Sequence, residues 1–276
     1  MSRAKILTYC IVPLLMMGVT GTGSGETYQV MDVKDGGIIK GDASWQGEIP
    51  DLPEIQATAD LPVCGETAPS EALRVDPNSK GVRFVLVYLE RVEKGKAPAD
   101  KYYLHMGKDS TNKVPGTVTC QFKEHIFPFV RDRFVAMVNF EAILHNPHFF
   151  NEKNTSLLNV TMPTPYKEVD HTVLQFHGKG VMRYQCDVHA HMNGYWAGFH
   201  HPYFAVTDAE GRFEINGVPP GTYTMVAWHE GYKVVREDVG RPIYDAPHIL
   251  RKEIEVKPKE TVDVHFEFPV RKVTIE

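Results

Sequence analysis

Through most of the chain, apolar and polar residues either alternate or form short β-branched and aromatic runs, bounded by Gly, Pro, Asn and Asp. A period of two, broken by turn residues, is the signature of β-strands. It predicts strands over 36–45, 82–92, 116–122, 133–140, 171–177, 181–186, 203–208, 212–217, 222–229, 251–257 and 262–268. Helical periodicity is weak, and one short helical turn is expected in "APSEAL" at 68–73. Residues 48–80, rich in Pro, Asp and Glu, read as a long loop. Many short strands at regular spacing argue for an all-β sandwich architecture. Asp208 to Gly211 marks a hairpin turn, and Pro219, Pro220 and Gly221 mark a second one.

The chain of 276 residues has room for one large domain or two small ones. Its net charge of −5 gives no reason to expect a nucleic-acid partner. The start does change the picture. "MSRAK" is basic, "ILTYCIVPLLMMGV" is apolar and short for a membrane span, and "TGTGSG" is small and flexible. This is the three-part pattern of a secretory signal peptide over 1–25, with an uncleaved anchor as the alternative. An exported, periplasmic protein is the expectation.

Export makes the cysteines informative. The chain has 4, and Cys10 would leave with the signal. Cys64 and Cys120 lie among strand and turn residues with no metal-like neighbours and are the expected disulfide. Cys186 is left over, in "YQCDVHAHM". A free thiol in an oxidising compartment is vulnerable unless something occupies it.

Cys186, His189 and Met192 offer a thiolate, an imidazole and a thioether. A mononuclear copper electron-transfer site needs two imidazoles and a thiolate with a weak axial thioether. The second imidazole is found in "FEAILHNPHFF", where His145 follows the strand at 133–140 and Asn146 stands ready to hydrogen-bond to the cysteine loop. Structural zinc prefers more thiolates and does not use methionine. A Cys/His nucleophile leaves the methionine unexplained and lacks an orienting group.

These residues carry a family resemblance. "VAMVNFEAILHNPHF" followed by "MRYQCDVHAHM" resembles the cupredoxins of the amicyanin and plastocyanin branch, over about residues 102–199. The resemblance implies a Greek-key β-sandwich, one copper ion, and His145, Cys186, His189 and Met192 as ligands, with Asn146 supporting them. It implies single-electron transfer to a protein partner, such as a cytochrome or another periplasmic oxidoreductase, with no substrate transformed. It also implies that His189 reaches the surface through an apolar patch where partners dock. His191 stands where the family pattern has an aromatic residue, and His148 follows His145 closely, so both are alternative ligands.

The flanks resemble a second family. "VTDAEGRFEINGVPPGTYTMVAWHEG" is similar to the transthyretin-like, or carboxypeptidase regulatory-like, β-sandwich. Its usual first strands appear at 37–46 and 82–90. The expected organisation is therefore a transthyretin-like sandwich of 27–101 and 200–276 interrupted by the cupredoxin. The alternative is two consecutive domains, 27–199 and 200–276. His200, His201 and His229 lie in or near the second sandwich and could form a second metal site, though surface or interface positions are the plainer reading.

Overall fold

The structure is a computed structural model that describes residues 28–163, 165–166, 168–171, 180–238 and 240–268. The expected signal, 1–25, and most of the strand expected at 171–177 lie outside the described residues. The fold is all-β, and its strands form two sandwiches.

The first sandwich joins distant parts of the chain. One sheet has the order Phe204–Val206, Leu86–Leu89, Gly221–His229 and His248–Val256. The facing sheet has Arg212–Val218, Gly37–Trp45 and Thr261–Phe268. Gly37–Trp45 pairs antiparallel with the first of these and parallel with the last. Residues on either side of 101–199 thus share one core, which includes Ile39, Val87, Leu89, Ala227, Ile254 and Phe266. The alternation expected from sequence is visible in Arg212–Val218, where Phe213, Ile215 and Val218 face inward.

The second sandwich is built from the chain between those parts. Its larger sheet runs Ile126–Val130, Asn193–Phe199, Val181–Cys186, Pro147–Phe150 and Ser156–Asn159. The smaller runs Glu168–His171, Phe134–Asn139 and Lys101–Met106. Pro128 sits in the edge strand Ile126–Val130, where its missing N–H costs no ladder bond. The core gathers aromatic and methionine side chains around Tyr184, Cys186, Met192 and Trp196. Trp196 donates its indole N–H to the Phe150 carbonyl at 3.0 Å, so it is a core residue with a satisfied polar tip.

Phe84, Leu86, Ile126, Ala197 and Trp228 form a third cluster that joins the two sandwiches. This explains why Leu86–Leu89 is apolar on both faces: Val87 and Leu89 fill the first core, and Leu86 fills the junction.

Two expectations are corrected. Residues 116–122 are turns with one bridge at Phe122, not a strand. The backbone there is drawn away from sheet pairing. Thr117 Oγ1 accepts from the Asp109 N–H at 3.0 Å and donates to the Val114 carbonyl at 3.2 Å, and Cys120 has φ 52° and donates its N–H to Glu141. The helical turn expected at 68–73 is also not there. A four-residue helix stands earlier, at Leu61–Cys64, within a hairpin that pairs Ile55–Gln56 with Thr67–Ala68. No helix among the described residues is long and apolar enough to cross a membrane.

Candidate metal centre

Strand pairing brings the two ligand segments together. Pro147 pairs with Cys186 across the antiparallel strands, so Asn146 and His145 lie at the mouth of the cysteine loop. His145 is held by reciprocal backbone hydrogen bonds with Met162. The loop folds back on itself: the Met192 N–H donates to the His189 carbonyl and the Cys186 N–H donates to the Met192 carbonyl, both at 3.0 Å. The seven residues Cys186 to Met192 thereby become one closed turn at the sheet end.

His145, Cys186 and His189 present ligand atoms that all lie within 4.8 Å of one another, and all three are buried. Carboxylates fix the orientation of both imidazoles. His145 donates its Nε2–H to Glu141 Oε2 at 2.9 Å. His189 donates its Nε2–H to Asp60 Oδ2 at 3.0 Å. A carboxylate only accepts, so each ring carries its proton on Nε2 and leaves a lone pair on Nδ1. Nδ1 of His189 lies 3.6 Å from Cys186 Sγ. Nδ1 of His145 is buried without a hydrogen-bond partner. A buried orphan acceptor is costly by itself, and it is what a coordinating nitrogen looks like without its ion.

Electrostatics favour a thiolate. Burial pushes the Cys186 thiol up, but the facing imidazoles of His145 and His189 and the Asn146 N–H outweigh it and bring the pKa down to about 6. Burial pushes His145 down, and the adjacent thiolate and Glu141 more than restore it, so it lies above the ordinary histidine value. Glu141 lies below the usual carboxylate range despite burial, because His145 and the N–H groups of Lys108 and Cys120 donate to it.

Asn146 supports the loop twice. Its N–H points at Cys186 Sγ at 3.5 Å, and its Oδ1 accepts from the Asp187 N–H at 2.9 Å. Met192 is buried in the same core as Cys186. The alternative ligands are placed elsewhere. His148 spends both ring nitrogens, on Asp187 and on Ser156, each at 2.8 Å. His191 donates Nε2–H to the Cys120 carbonyl at 3.1 Å and is outside the converging group. Burial and the neighbouring His189 press its pKa down to about 4.

Cys64 and Cys120 form a disulfide. His200, His201 and His229 do not assemble. Among the described residues, the cluster at Cys186 is the one place where three or more His, Cys or carboxylate ligand atoms converge. His229 instead donates Nδ1–H to the Glu230 carbonyl at 2.8 Å, in a site so dry that its pKa falls to about 4.

One expectation is overturned. His189 does not reach the surface: it has no exposed area. The hairpin spanning 55–68 lies over it, with Asp60 on its Nε2 and Thr58 bonded to both Val188 and Ala190. Sequence alone did not reveal Asp60, Thr58, Glu141 or Arg241, which donates to the Ala190 and Cys186 carbonyls. Only Glu141 left a trace, four residues before His145 in "EAILH".

Residues 199–269 match the family profile of the carboxypeptidase regulatory-like domain. Among solved structures, the chain is similar to a novel purple cupredoxin from Nitrosopumilus maritimus, at 15% identity and TM-score 0.26, covering 35% of this chain and 98% of that one. It is also similar to amicyanin from Paracoccus versutus, at 18% identity and TM-score 0.27, covering 41% of this chain and 97% of that one. No curated protein matches by sequence. The donor set itself, two imidazole nitrogens and a thiolate with a methionine nearby in sequence, suits a soft or borderline transition metal.

Proposed function

We propose that this protein is a type 1 copper protein that passes single electrons between redox partners. Its ion would be held by His145, Cys186 and His189, with Met192 as a further, weaker ligand. The observation that carries this reading is the buried, unpartnered Nδ1 of His145 beside the thiolate of Cys186 and Nδ1 of His189. Copper, when bound, supplies a couple between Cu(II) and Cu(I).

The rest is the work of the chain. Glu141 and Asp60 hold the two imidazoles in the tautomer that ligation requires. Depression of the Cys186 pKa to about 6 keeps the sulfur ionised at neutral pH without an external base. The Asn146 N–H aimed at that sulfur withdraws charge from it and would raise the potential. Burial of all three ligands excludes water, so the site needs little rearrangement when its charge changes. No substrate is transformed. The disulfide supports an oxidising, exported location, and a protein such as a cytochrome or periplasmic oxidoreductase is the partner that fits there.

The test is the visible absorption and EPR spectrum of the Cu(II)-loaded protein beside Cys186→Ala. An intense thiolate-to-copper band, lost in the variant, is expected. A colourless protein, or an ordinary copper spectrum indifferent to the substitution, would replace electron transfer with copper storage or delivery.

A further inference from the structure

Three observations converge on the hairpin 55–68. Asp60 accepts from Nε2 of His189 at 3.0 Å. Thr58 bridges the ligand loop: its Oγ1 donates to the Val188 carbonyl and accepts from the Ala190 N–H, both at 3.0 Å. Cys64 is bonded to Cys120, whose N–H donates to Glu141 and whose carbonyl accepts from His191. The hairpin is thus fixed to the backing of both histidines, to His189 directly and to His145 through Glu141.

The backbone conformation is also specific. Asp60 has φ 52° and ψ 36°, a left-handed geometry uncommon for a residue with a side chain. Its carbonyl accepts from the N–H groups of Val63 and Cys64, so the disulfide and the turn pin that geometry together. Such conformations persist only where the surroundings over-determine them. Here the outcome is a carboxylate set on the outer nitrogen of His189.

We infer that Asp60 and Thr58 are positioning residues of the metal centre, and that the tethered hairpin closes the His189 edge to external ligands and to direct contact by a partner. The inference rests on the proposed copper site for its meaning, but not for its test. Without Asp60, the partner left for the His189 proton is Cys186 Sγ, 3.6 Å from Nδ1, and the ring loses its outer cover. An imidazole with no exposed area cannot meet a reagent or a docking protein unless the hairpin opens.

The full-length apoprotein tests this in two ways. Site-mapped modification by diethyl pyrocarbonate reads access to His189, with His265, whose side chain is 67% exposed, as the internal reference. His189 should react at least about tenfold more slowly than His265, and T58V/D60A should speed it at least about tenfold. If that pair does not fold, Asp60→Ala alone should give about threefold, since one of the two anchors remains. Imidazole ¹⁵N shifts then read the tautomer, which a merely structural role would not move. The wild type and Asp60→Asn, which keeps an acceptor oxygen, should show Nε2–H alone, and Asp60→Ala a shift toward Nδ1–H, the nitrogen facing Cys186.

Reaction of wild-type His189 at the rate of His265, or Asp60→Ala with unchanged rate and tautomer, would overturn the inference. A protected His189 in a protein that gives no thiolate-to-copper band would remove the copper reading and leave the cover standing.

Discussion

Arg241 donates from Nη1 to the carbonyl of Ala190 at 3.0 Å, reaching into the ligand loop from a two-stranded hairpin, Val234–Asp238 with Arg241–Tyr244, that lies between two strands of the first sandwich in the chain. Its other terminal nitrogen donates to the carbonyl of Cys186. One guanidinium therefore spans the loop from its first ligand to the residue after His189. The planar fork suits two carbonyls, and a lysine could not hold both in the same geometry. Arg241→Gln should destabilise the protein by about 1.5–3 kcal/mol, the range for charge-assisted hydrogen bonds that are partly buried. Urea denaturation checks this, and an unchanged midpoint would mean the clamp is not closed in solution.

Glu141 makes a separate prediction at the opposite side of the centre. Glu141→Gln keeps the shape but weakens the acceptor for His145 and for the Lys108 and Cys120 N–H groups. Loss of such an outer partner costs about 10–100-fold in metal affinity. Competition with a copper chelator should show a decrease of that size, while the thiolate-to-copper band keeps its position within the visible range.

The disulfide should matter for stability as well as for position. Cys64 and Cys120 are 56 residues apart, and closing a loop of that length stabilises by about 4 kcal/mol in the chain-entropy model. Replacing both cysteines with alanine should lower the unfolding free energy by about that amount, measured by denaturation of the apoprotein. A loss near zero would show that the disulfide does not stabilise by constraining the unfolded chain.

A buried ion pair at the junction predicts a pH dependence. His125, fully buried, has Nε2 on Glu230 of the first sandwich and Nδ1 on the Asn193 carbonyl, with Glu71 at 3.5 Å. Burial alone would lower its pKa, but the charges and hydrogen bonds of Glu230 and Glu71 prevail and raise it to about 10. A folded pKa above the unfolded value, 6.5, means stability that is complete below that value and is lost as pH rises toward 10. Cys186 acts with the opposite sign in the apoprotein, since its depressed pKa adds stability as pH rises from about 6. The difference between wild type and His125→Gln isolates the histidine. It should be about 3–5 kcal/mol near pH 6, the cost of breaking a buried pair, and should shrink as pH approaches 10. A difference constant across that range would place the His125 charge elsewhere.

The ligand loop was legible because its signal is local. Cys186, His189 and Met192 sit within one turn, and "HN" follows a strand whose alternation is clear. The strands 212–218 and 261–268 were legible for the same reason, since each buries one face. The strand Asn193–Phe199 was hidden by Gly194 and Gly198, which depress β-propensity. Gly194 is required because a Cβ there would meet the His125 carbonyl at 2.4 Å. Residues 116–122 misled in the other direction, because β-branched content cannot report that Glu141 has captured the Cys120 N–H. Asp60 was invisible: its partner lies 129 residues away, and nothing near it in sequence hints at an imidazole.

The way the two sandwiches share the chain has a consequence for the order of assembly. Val85 donates to Thr207 across 122 residues, and Leu86–Leu89 lies beside Phe204–Val206. The strands that must pair are thus separated by an entire second core. Joining them from an open chain would carry the full entropy of closing that long loop. Once the intervening part has folded, its two ends emerge side by side and deliver those strands to each other almost in register. A lesion in the core of the second sandwich would then weaken the first as well, by returning to its sheets the entropy of closing that loop.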